Sequence, residues 1–131
     1  MAGVLGPKQT AFLQDWHDVI GEIRGKNVLM VDDLTETAGT LTTAANLLHK
    51  KGAKKLYACV SHALLNDIGI QRLRKSKIDE LITTDTVLRP AIEGVKVTTL
   101  SVAGLLGEAI KRIHSNSSVT SLFEFKGGRT S

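Results

Sequence analysis

The residues from Asp32 to Thr40 combine two kinds of chemistry in one short segment, Asp-Asp-Leu-Thr-Glu-Thr-Ala-Gly-Thr. The second half, from Thr37 onward, offers hydroxyl groups and successive backbone N–H groups just before a run with helical periodicity. Ala38 and Gly39 are small enough to let the backbone close around an anion. Free amides at a helix N-terminus, together with the positive end of the helix dipole, bind phosphate. The segment therefore predicts a phosphate cradle.

The first half of the segment is acidic and needs a different ligand. Asp32, Asp33 and Glu36 would repel a phosphate group, but carboxylates accept hydrogen bonds from sugar hydroxyls and can hold Mg²⁺. A ligand with a phosphate at one end and hydroxyl groups at the other suits both halves, and ribose 5-phosphate is such a ligand. The alternative is that Asp and Thr merely cap the following helix. The combination of three acids, threonines and a glycine after a buried strand favours a ligand site.

Predicted strands and helices alternate on both sides of this segment. Short apolar runs between breakers predict strands at 27–32, 55–60, 80–84 and 95–100, whereas helical spacing of apolar residues predicts helices at 41–51, 67–76 and 102–114. The apolar residues of the last helix are expected to face inward: Leu105, Leu106, Ala109, Ile110 and Ile113. This alternation predicts an α/β fold, a mostly parallel sheet with flanking helices, in which ligands bind beyond the carboxyl ends of the strands.

The 131 residues are enough for one ordinary domain. Phe12, Trp16 and Ile23 recur at helical spacing, so residues 8–22 are expected to form an amphipathic helix. This helix would lie in an N-terminal segment, residues 1–26, that serves as a partial linker. Residues 27–125 would then form the ligand-binding α/β domain, and residues 126–131 a disordered tail.

Composition and charge restrict the classes of partner. The hydrophobic content of 42% is that of a globular protein, and no apolar stretch approaches the ~20 residues of a membrane span, so no membrane contact is expected. A net charge of +4, scattered basic residues and five aromatic residues suit a phosphorylated small molecule but not a nucleic acid. The single cysteine, Cys59, fits a reducing compartment, and we expect a cytoplasmic protein.

The segment from Asp32 to Thr40 resembles the ribose-phosphate binding signature of the phosphoribosyltransferase-type fold: two acids, two variable residues, an acid, Thr, a small residue, Gly and Thr. Other stretches resemble ribose-phosphate pyrophosphokinases, also called phosphoribosyl pyrophosphate synthases. They are residues 19–33, 52–58, 61–62, 71–73 and 84–86. The most specific stretch is residues 100–114 followed by 118–123, because transferases of the same fold do not normally end in this way. The resemblance covers roughly residues 19–124.

This resemblance implies a Mg²⁺-dependent transfer of the diphosphate group of ATP to the anomeric hydroxyl of ribose 5-phosphate. Carried over to this chain, it implies that Asp32 and Asp33 address the ribose hydroxyls, directly or through ribose-bound Mg²⁺. The residues that would hold the 5-phosphate are Glu36, Thr37, Ala38, Gly39 and Thr40. The resemblance also implies a regulatory phosphate or nucleotide site, to which Ser118, Thr120 and Phe123 would contribute.

The chain also departs from the family pattern. Family members are longer, and their N-terminal domain brings most of the ATP site. Residues 1–15 contain only Lys8 and no arginine where the family has a basic catalytic loop, so no catalytic residue is assigned. After His62, the usual Gly and Ser-Gly-Pro are replaced by Ala63 and by Asn-Asp-Ile at 66–68. Because phosphoryl transfer depends on positioning both substrates, we expect binding of the sugar phosphate with little or no transfer by this chain alone.

Two alternatives stay open. The chain could be a non-catalytic regulatory or interaction homologue of the pyrophosphokinase, which the missing basic loop favours. It could also be a compact nucleobase phosphoribosyltransferase, although nothing outside the core supplies a hood for the base. If a full-length enzyme normally covers this domain with its N-terminal half, the short chain leaves apolar surface exposed, so we expect at least a dimer, a homo-oligomer.

Overall fold

The structure is a computed structural model that describes residues 3–6, 9–12, 22–88 and 91–123. The chain forms two compact units, Met1–Leu100 and Ser101–Ser131. The helices and strands of the first unit are β1 (Gly3–Gly6), β2 (Gln9–Phe12), β3 (Asn27–Thr35), α1 (Gly39–Lys50), β4 (Lys55–Ala63), α2 (Asp67–Lys75), β5 (Glu80–Thr84) and β6 (Val97–Leu100). The second unit contains α3 (Ala103–His114) and a short 3-10 helix (Thr120–Leu122).

The first unit is built on one six-stranded sheet with the order β2-β1-β3-β4-β5-β6. Strands β3, β4, β5 and β6 are parallel to one another, with α1 crossing from β3 to β4 and α2 from β4 to β5. The α/β fold predicted from the alternation of elements is therefore confirmed. Because the strands are parallel, their carboxyl ends meet at one edge of the sheet, where the segment from Asp32 to Thr40 begins.

The core lies on one face of this sheet. Alternate residues of each strand are buried there, as the period of two in a strand requires, and they pack against the apolar stripe of α1 and against Leu73 of α2. The buried residues of the strands are Val28 and Met30, then Leu56, Ala58 and Val60, then Leu81. Those of α1 are Leu41, Ala44, Ala45 and Leu48. The packing fixes the register of β3 and β4, so the polar residues that follow Met30 have defined positions.

Strand β3 is longer than the sequence predicts. It continues past Asp32 to Thr35, because β4 offers a parallel partner for the whole stretch, with Leu34 opposite His62 and Thr35 opposite Ala63. The prediction that this strand ends at residue 32 is therefore wrong: both aspartates lie on the strand, and only residues 36–38 connect it to α1. The polar composition of this stretch concealed the strand, since backbone pairing with β4 rather than a run of apolar side chains extends it.

The N-terminal helix prediction is wrong where the structure describes the chain. Gln9–Phe12 forms strand β2, which pairs antiparallel with β1, and β1 pairs antiparallel with β3. The exposed edge of β3 supplies backbone partners that local helical spacing cannot reveal. Residues 13–21, the rest of the predicted helix, lie outside the described residues, and the predicted boundary at residue 26 stays a prediction.

The second unit centres on Arg112 of α3. Its Nε donates to Glu108 Oε1 at 2.8 Å, and its Nη1 donates to the Ser118 carbonyl oxygen at 3.1 Å and to the Ser121 hydroxyl. No residue of α3 is buried, and Leu105, Leu106, Ile110 and Ile113 are exposed, so no described residue of the second unit covers the face that was expected to point inward. Periodicity identifies an apolar face but does not say what covers it. Among the described helices, none combines the length and the hydropathy needed to traverse a bilayer.

Candidate phosphate and sugar site at the carboxyl end of strand β3

The turn between β3 and α1 depends on Ala38, the residue before the first helical position. Its backbone is left-handed, with φ 51° and ψ 16°, and its side chain is only 2% exposed. The side chain makes no capping hydrogen bond, as an alanine cannot. The alternative in which Asp or Thr serves only as the helix cap therefore does not describe this helix. An α-helix that begins without a side-chain cap leaves its first amides available to another acceptor.

The amides of this turn are unoccupied. Within the described residues, no acceptor takes a hydrogen bond from the backbone N–H groups of residues 37–41, whereas the N–H of Thr42 donates to the Ala38 carbonyl oxygen at 3.0 Å. The Thr42 hydroxyl donates to the same oxygen at 2.8 Å and holds the first turn of α1. Five successive free donors thus lie at the positive end of a helix of 12 residues, an arrangement that favours anions.

The far side of the turn is held by α2 and the residues before it. The N–H of Leu64 donates to Thr35 O at 2.9 Å, and the N–H of Asn66 donates to Glu36 O at 3.1 Å. Asn66 also caps α2 through its side chain, which accepts from the N–H of Gly69 at 2.9 Å. The carbonyl groups of Thr35 and Glu36 are thus attached to the segment that leads into α2, and the amides of the turn stay free.

The two aspartates flank an open cavity of about 390 Å³, lined by Val31, Asp32, Asp33 and Ser61. Asp32 is half-buried and accepts the N–H of Asp33 on its Oδ1 at 3.0 Å, while Asp33 is exposed. Neither carboxylate forms an ion pair with any residue in the described ranges. This edge of the sheet therefore has carboxylates next to a turn with free amides. A ligand that carries both hydroxyl groups and a phosphate would suit this combination.

The aspartates fit magnesium only in a restricted way. The described residues contain no group of three or more His, Cys, Asp or Glu that could hold a metal ion. Mg²⁺ is commonly held by one or two carboxylates, with phosphates of the substrate and waters completing its octahedral shell. Asp32 and Asp33 supply hard oxygen donors of that kind next to the cavity. The donor set suits an ion that arrives with a substrate better than a resident metal.

The structure brings all seven residues predicted for the sugar phosphate to one place. Asp32 and Asp33 lie on β3, and the next five follow without interruption: Glu36, Thr37, Ala38, Gly39 and Thr40. The side chains of Glu36, Thr37 and Thr40 are exposed. Their grouping is a consequence of the chain itself, and the role of each residue stays a prediction.

Sequence reasoning missed the contribution of α2. Arg72 donates from Nη1 to the Thr37 carbonyl oxygen at 3.1 Å, across 35 positions of the sequence. A Cβ atom on Gly69 would overlap the carbonyl oxygen of Glu36, so only glycine allows this approach of the helix to the turn. A glycine inside an otherwise helical pattern often indicates such a close contact, and Gly69 is a glycine of this kind. Arg72 lies in one of the stretches that resemble the family, residues 71–73, but nothing in the sequence indicated that it contacts the turn.

Polar side chains also connect the carboxyl ends of β4 and β5. The Thr84 hydroxyl donates to the Ser61 carbonyl oxygen at 2.6 Å, and Thr86 Oγ1 lies 2.9 Å from Thr84 Oγ1. His62 Nδ1 lies 2.7 Å from Thr86 Oγ1. These contacts fix the loop after β5 at the same edge of the sheet as residues 36–38. We call residues 36–38 the phosphate turn, after the ligand that the sequence predicts for them.

The residues predicted for a regulatory site lie in the second unit. Ser118 Oγ donates to Thr120 Oγ1 at 3.1 Å, and the N–H of Thr120 donates back to Ser118 Oγ at 3.2 Å. Phe123 is 74% exposed. The structure brings Ser118 and Thr120 together at the start of the 3-10 helix, and their regulatory role stays a prediction.

Within the first unit, the acidic groups with shifted pKa values lie away from the phosphate turn. The N–H of Leu56 and the ammonium group of Lys55 hold the pKa of the Asp79 carboxyl below its usual value. Hydrogen bonds from Lys96 and Thr98 likewise lower the pKa of Glu80. Asp79, Glu80 and their partners lie at or near the amino ends of β4, β5 and β6, at the edge of the sheet opposite the phosphate turn. Their role is to join neighbouring strands.

Comparisons with known proteins agree on one family. Residues 5–124 match the model of the phosphoribosyl synthetase-associated domain. The chain is 47% identical over 108 residues to a ribose-phosphate pyrophosphokinase of Oceanobacillus iheyensis, covering 82% of this chain and 34% of that protein. It is 46% identical over 109 residues to the chloroplastic ribose-phosphate pyrophosphokinase 1 of Arabidopsis thaliana, covering 81% of this chain and 27% of the plant protein.

A solved structure gives the same result. The crystal structure of phosphoribosylpyrophosphate synthetase from Mycobacterium smegmatis matches with a TM-score of 0.69 and 30% sequence identity, covering 88% of this chain and 37% of that chain. The resemblance inferred from the sequence is therefore confirmed, as is the phosphoribosyltransferase-type fold. The chain spans about a third of the length of the bacterial relatives it matches.

Proposed function

This chain belongs to the phosphoribosyl synthetase-associated domain family, and we propose that it forms the ribose 5-phosphate site of a ribose-phosphate pyrophosphokinase. Such an enzyme transfers the diphosphate group of ATP to ribose 5-phosphate and so makes phosphoribosyl pyrophosphate for nucleotide biosynthesis. The observation that carries the proposal is the set of free amides at residues 37–41, directly after two carboxylates that line a cavity.

In this proposal the turn binds the 5-phosphate and the aspartates bind the sugar. The amides of residues 37–41 donate to the phosphate oxygens, and the hydroxyls of Thr37 and Thr40 add donors beside them. Asp32 and Asp33 accept hydrogen bonds from the ribose hydroxyls. Because both groups belong to one continuous strand–turn–helix, the sugar is held at two points, which fixes the orientation of its anomeric hydroxyl.

The proposed reaction, transfer of diphosphate from ATP to the sugar, is a displacement at phosphorus. The anomeric oxygen of the sugar forms a bond to the β-phosphorus of ATP, the bond between that phosphorus and the oxygen bridging to the α-phosphate breaks, and AMP leaves as the hydroxyl proton is lost. Mg²⁺ bound with the substrates would neutralise the phosphate charge, and Asp32 and Asp33 are the residues that would hold it. The contribution of this chain is to position the acceptor.

We further propose that these 131 residues bind the sugar phosphate and transfer little or no diphosphate alone. The relatives are about three times as long as the aligned segment, and phosphoryl transfer needs both substrates in position. ATP binding therefore belongs to the complete enzyme. Homo-oligomer formation is a related proposal, supported by exposed apolar residues such as Leu105 and Ile110 on α3. A strictly monomeric sedimentation profile across protein concentrations would contradict it.

Titration calorimetry with three ligands tests the proposed function and separates it from the alternatives. We expect binding of ribose 5-phosphate and weaker or undetectable binding of ATP. Binding of neither ligand would favour a non-catalytic interaction homologue. A marked preference for phosphoribosyl pyrophosphate over ribose 5-phosphate would favour a nucleobase phosphoribosyltransferase. Formation of phosphoribosyl pyrophosphate by the 131-residue chain at the rate of its long relatives would refute the proposal that this chain transfers little or no diphosphate alone.

A further inference from the structure

Helix α2 and the residue before it donate to two successive carbonyl groups of the phosphate turn. The N–H of Asn66 donates to Glu36 O at 3.1 Å, and Arg72 Nη1 donates to Thr37 O at 3.1 Å. The first donor belongs to the backbone, so any residue except proline could supply it. The second is a charged side chain, and the amino acid at position 72 decides whether it exists.

These two hydrogen bonds determine where the next two amides point. The structure has no cis peptide bond among its described residues, and in a trans peptide the C=O and the following N–H are directed oppositely. A carbonyl of Glu36 aimed at Asn66 therefore turns the N–H of Thr37 away from α2. In the same way, a carbonyl of Thr37 aimed at Arg72 turns the N–H of Ala38 away from α2. Both amides are left on the side of the turn that faces away from its support.

The space beside Gly39 holds the guanidinium group of Arg72. A Cβ atom on Gly39 would stand 3.0 Å from Arg72 Nη1 and 3.8 Å from its Cζ, so the missing side chain of Gly39 leaves the space that Arg72 fills. Arg72 forms no ion pair with any residue that the structure describes. Its positive charge is therefore not cancelled by a carboxylate, and it lies beside the turn proposed to take a dianion.

We propose that Arg72 is a positioning residue for the phosphate site, an inference that rests on the proposed function. Its hydrogen bond to the Thr37 carbonyl fixes the direction of the Ala38 N–H, and its charge raises the affinity of the turn for an anion. A charge-assisted hydrogen bond also polarises the Thr37–Ala38 peptide, which makes the Ala38 N–H a stronger donor. The consequence is selectivity: Arg72 acts on ligands that carry the phosphate and not on the bare sugar.

The test compares Arg72→Gln with Arg74→Gln in the same helix. Arg74 donates from Nε to the Glu93 carbonyl oxygen at 2.8 Å, so its replacement also removes one charge and one side-chain-to-backbone hydrogen bond, but away from the turn. Calorimetry with ribose 5-phosphate should show affinity about tenfold to a hundredfold weaker in Arg72→Gln and little changed in Arg74→Gln. Any weak affinity for ribose itself should be equal in all three proteins.

A second readout separates positioning from general stabilisation. In ¹H–¹⁵N spectra, saturation with ribose 5-phosphate should displace the Ala38 amide resonance of the unchanged protein strongly. The displacement should be smaller in Arg72→Gln at matched saturation, because the amide no longer points at the ligand. Should Arg72→Gln not fold, Arg72→Lys replaces it: lysine keeps the charge without the planar fork, and we expect a reduced Ala38 displacement and several-fold weaker binding.

The possible failures are distinguishable. If the unchanged protein binds ribose 5-phosphate and Arg72→Gln binds it equally well with the same Ala38 displacement, the inference about Arg72 is refuted and the proposed function stands. Where Arg72→Lys is the variant measured, full affinity with an unchanged Ala38 displacement has the same meaning. If the unchanged protein does not bind ribose 5-phosphate, the proposed function fails and the inference fails with it.

Discussion

Gly69 of α2 packs so closely on Glu36 of the phosphate turn that a Cβ atom would overlap the Glu36 carbonyl oxygen. The same position would bring a side chain to 3.0 Å from Leu65 Cδ2. The carbonyl is also the acceptor for the Asn66 N–H, so it cannot withdraw without losing a hydrogen bond. The distance between α2 and the turn is therefore set by the absence of one methyl group.

Replacing Gly69 with alanine should damage both stability and binding. Alanine is favoured over glycine inside a helix by roughly 0.5–1 kcal/mol, but overpacking against the backbone typically costs about 1–3 kcal/mol, so the net effect should be destabilising. The turn must also shift away from α2, which should weaken binding of ribose 5-phosphate. Chemical denaturation and calorimetry on the same variant measure the two effects.

Gly104→Ala in α3 is the matched control, because a Cβ atom there meets nothing within 4 Å. We expect the control to be neutral or slightly stabilising and to leave ligand binding unchanged. Equal stability changes in the two glycine variants would show that the contact between Gly69 and Glu36 does not constrain the turn.

Removing the charge of Asp33 should weaken sugar binding and its dependence on magnesium. Asp33→Asn keeps the size of the side chain and one acceptor oxygen but loses a charged partner for hydroxyl groups or Mg²⁺. We expect affinity for ribose 5-phosphate about tenfold lower, with any enhancement by Mg²⁺ reduced. Calorimetry with and without Mg²⁺ measures both quantities.

Glu93→Gln provides the control for Asp33→Asn, since it neutralises an exposed carboxylate remote in sequence from the phosphate turn. That variant should bind like the unchanged protein. An Asp33→Asn protein with full affinity and an unaltered magnesium response would remove Asp33 from the site.

The pH dependence of stability should report on Asp79. Its carboxylate accepts the Leu56 N–H at 2.8 Å and the Lys55 ammonium at 2.9 Å, and these contacts lower its pKa from the ordinary value of 3.8. A lowered pKa in the folded state adds stability above the unfolded value, and that stability is lost as pH falls through the folded value. Asp79→Asn should therefore cost stability near pH 6, and the difference from the unchanged protein should shrink below about pH 4.

Urea denaturation between pH 2.5 and 6 measures this difference in the free energy of unfolding. Glu93→Gln should leave it nearly constant, as its carboxylate makes no ion pair within the described ranges. A gap between Asp79→Asn and the unchanged protein that does not vary with pH would mean that the ionised Asp79 contributes nothing specific.

Local patterns were sufficient for the elements buried on one face. β5 and α2 were predicted to within one residue, because apolar periodicity and end signals coincide there. The end of β3 could not be predicted, since residues from Asp32 to Thr35 are held in the sheet by pairing with β4 rather than by apolar side chains. Strand β2 was missed for a related reason: its backbone partner, β1, is an element the sequence did not reveal.

The candidate site divides in the same way. The segment from Asp32 to Thr40 carries its polar groups in nearly consecutive residues, so the sequence alone was enough to propose it as a site. The support from Arg72 and Asn66 arises only when α2 packs on the turn, 30 or more positions away in the sequence. Contacts of that kind depend on tertiary packing, and only the close approach at Gly69 left a local signal.

The crystal structure of the protein soaked in ribose 5-phosphate is the direct test of whether the phosphate turn and the two aspartates bind this ligand. We expect the phosphate group within about 3 Å of the backbone nitrogens of residues 37–41, with the ribose hydroxyls toward Asp32 and Asp33. An empty turn at saturating ligand, or a phosphate bound elsewhere on the protein, would contradict this expectation.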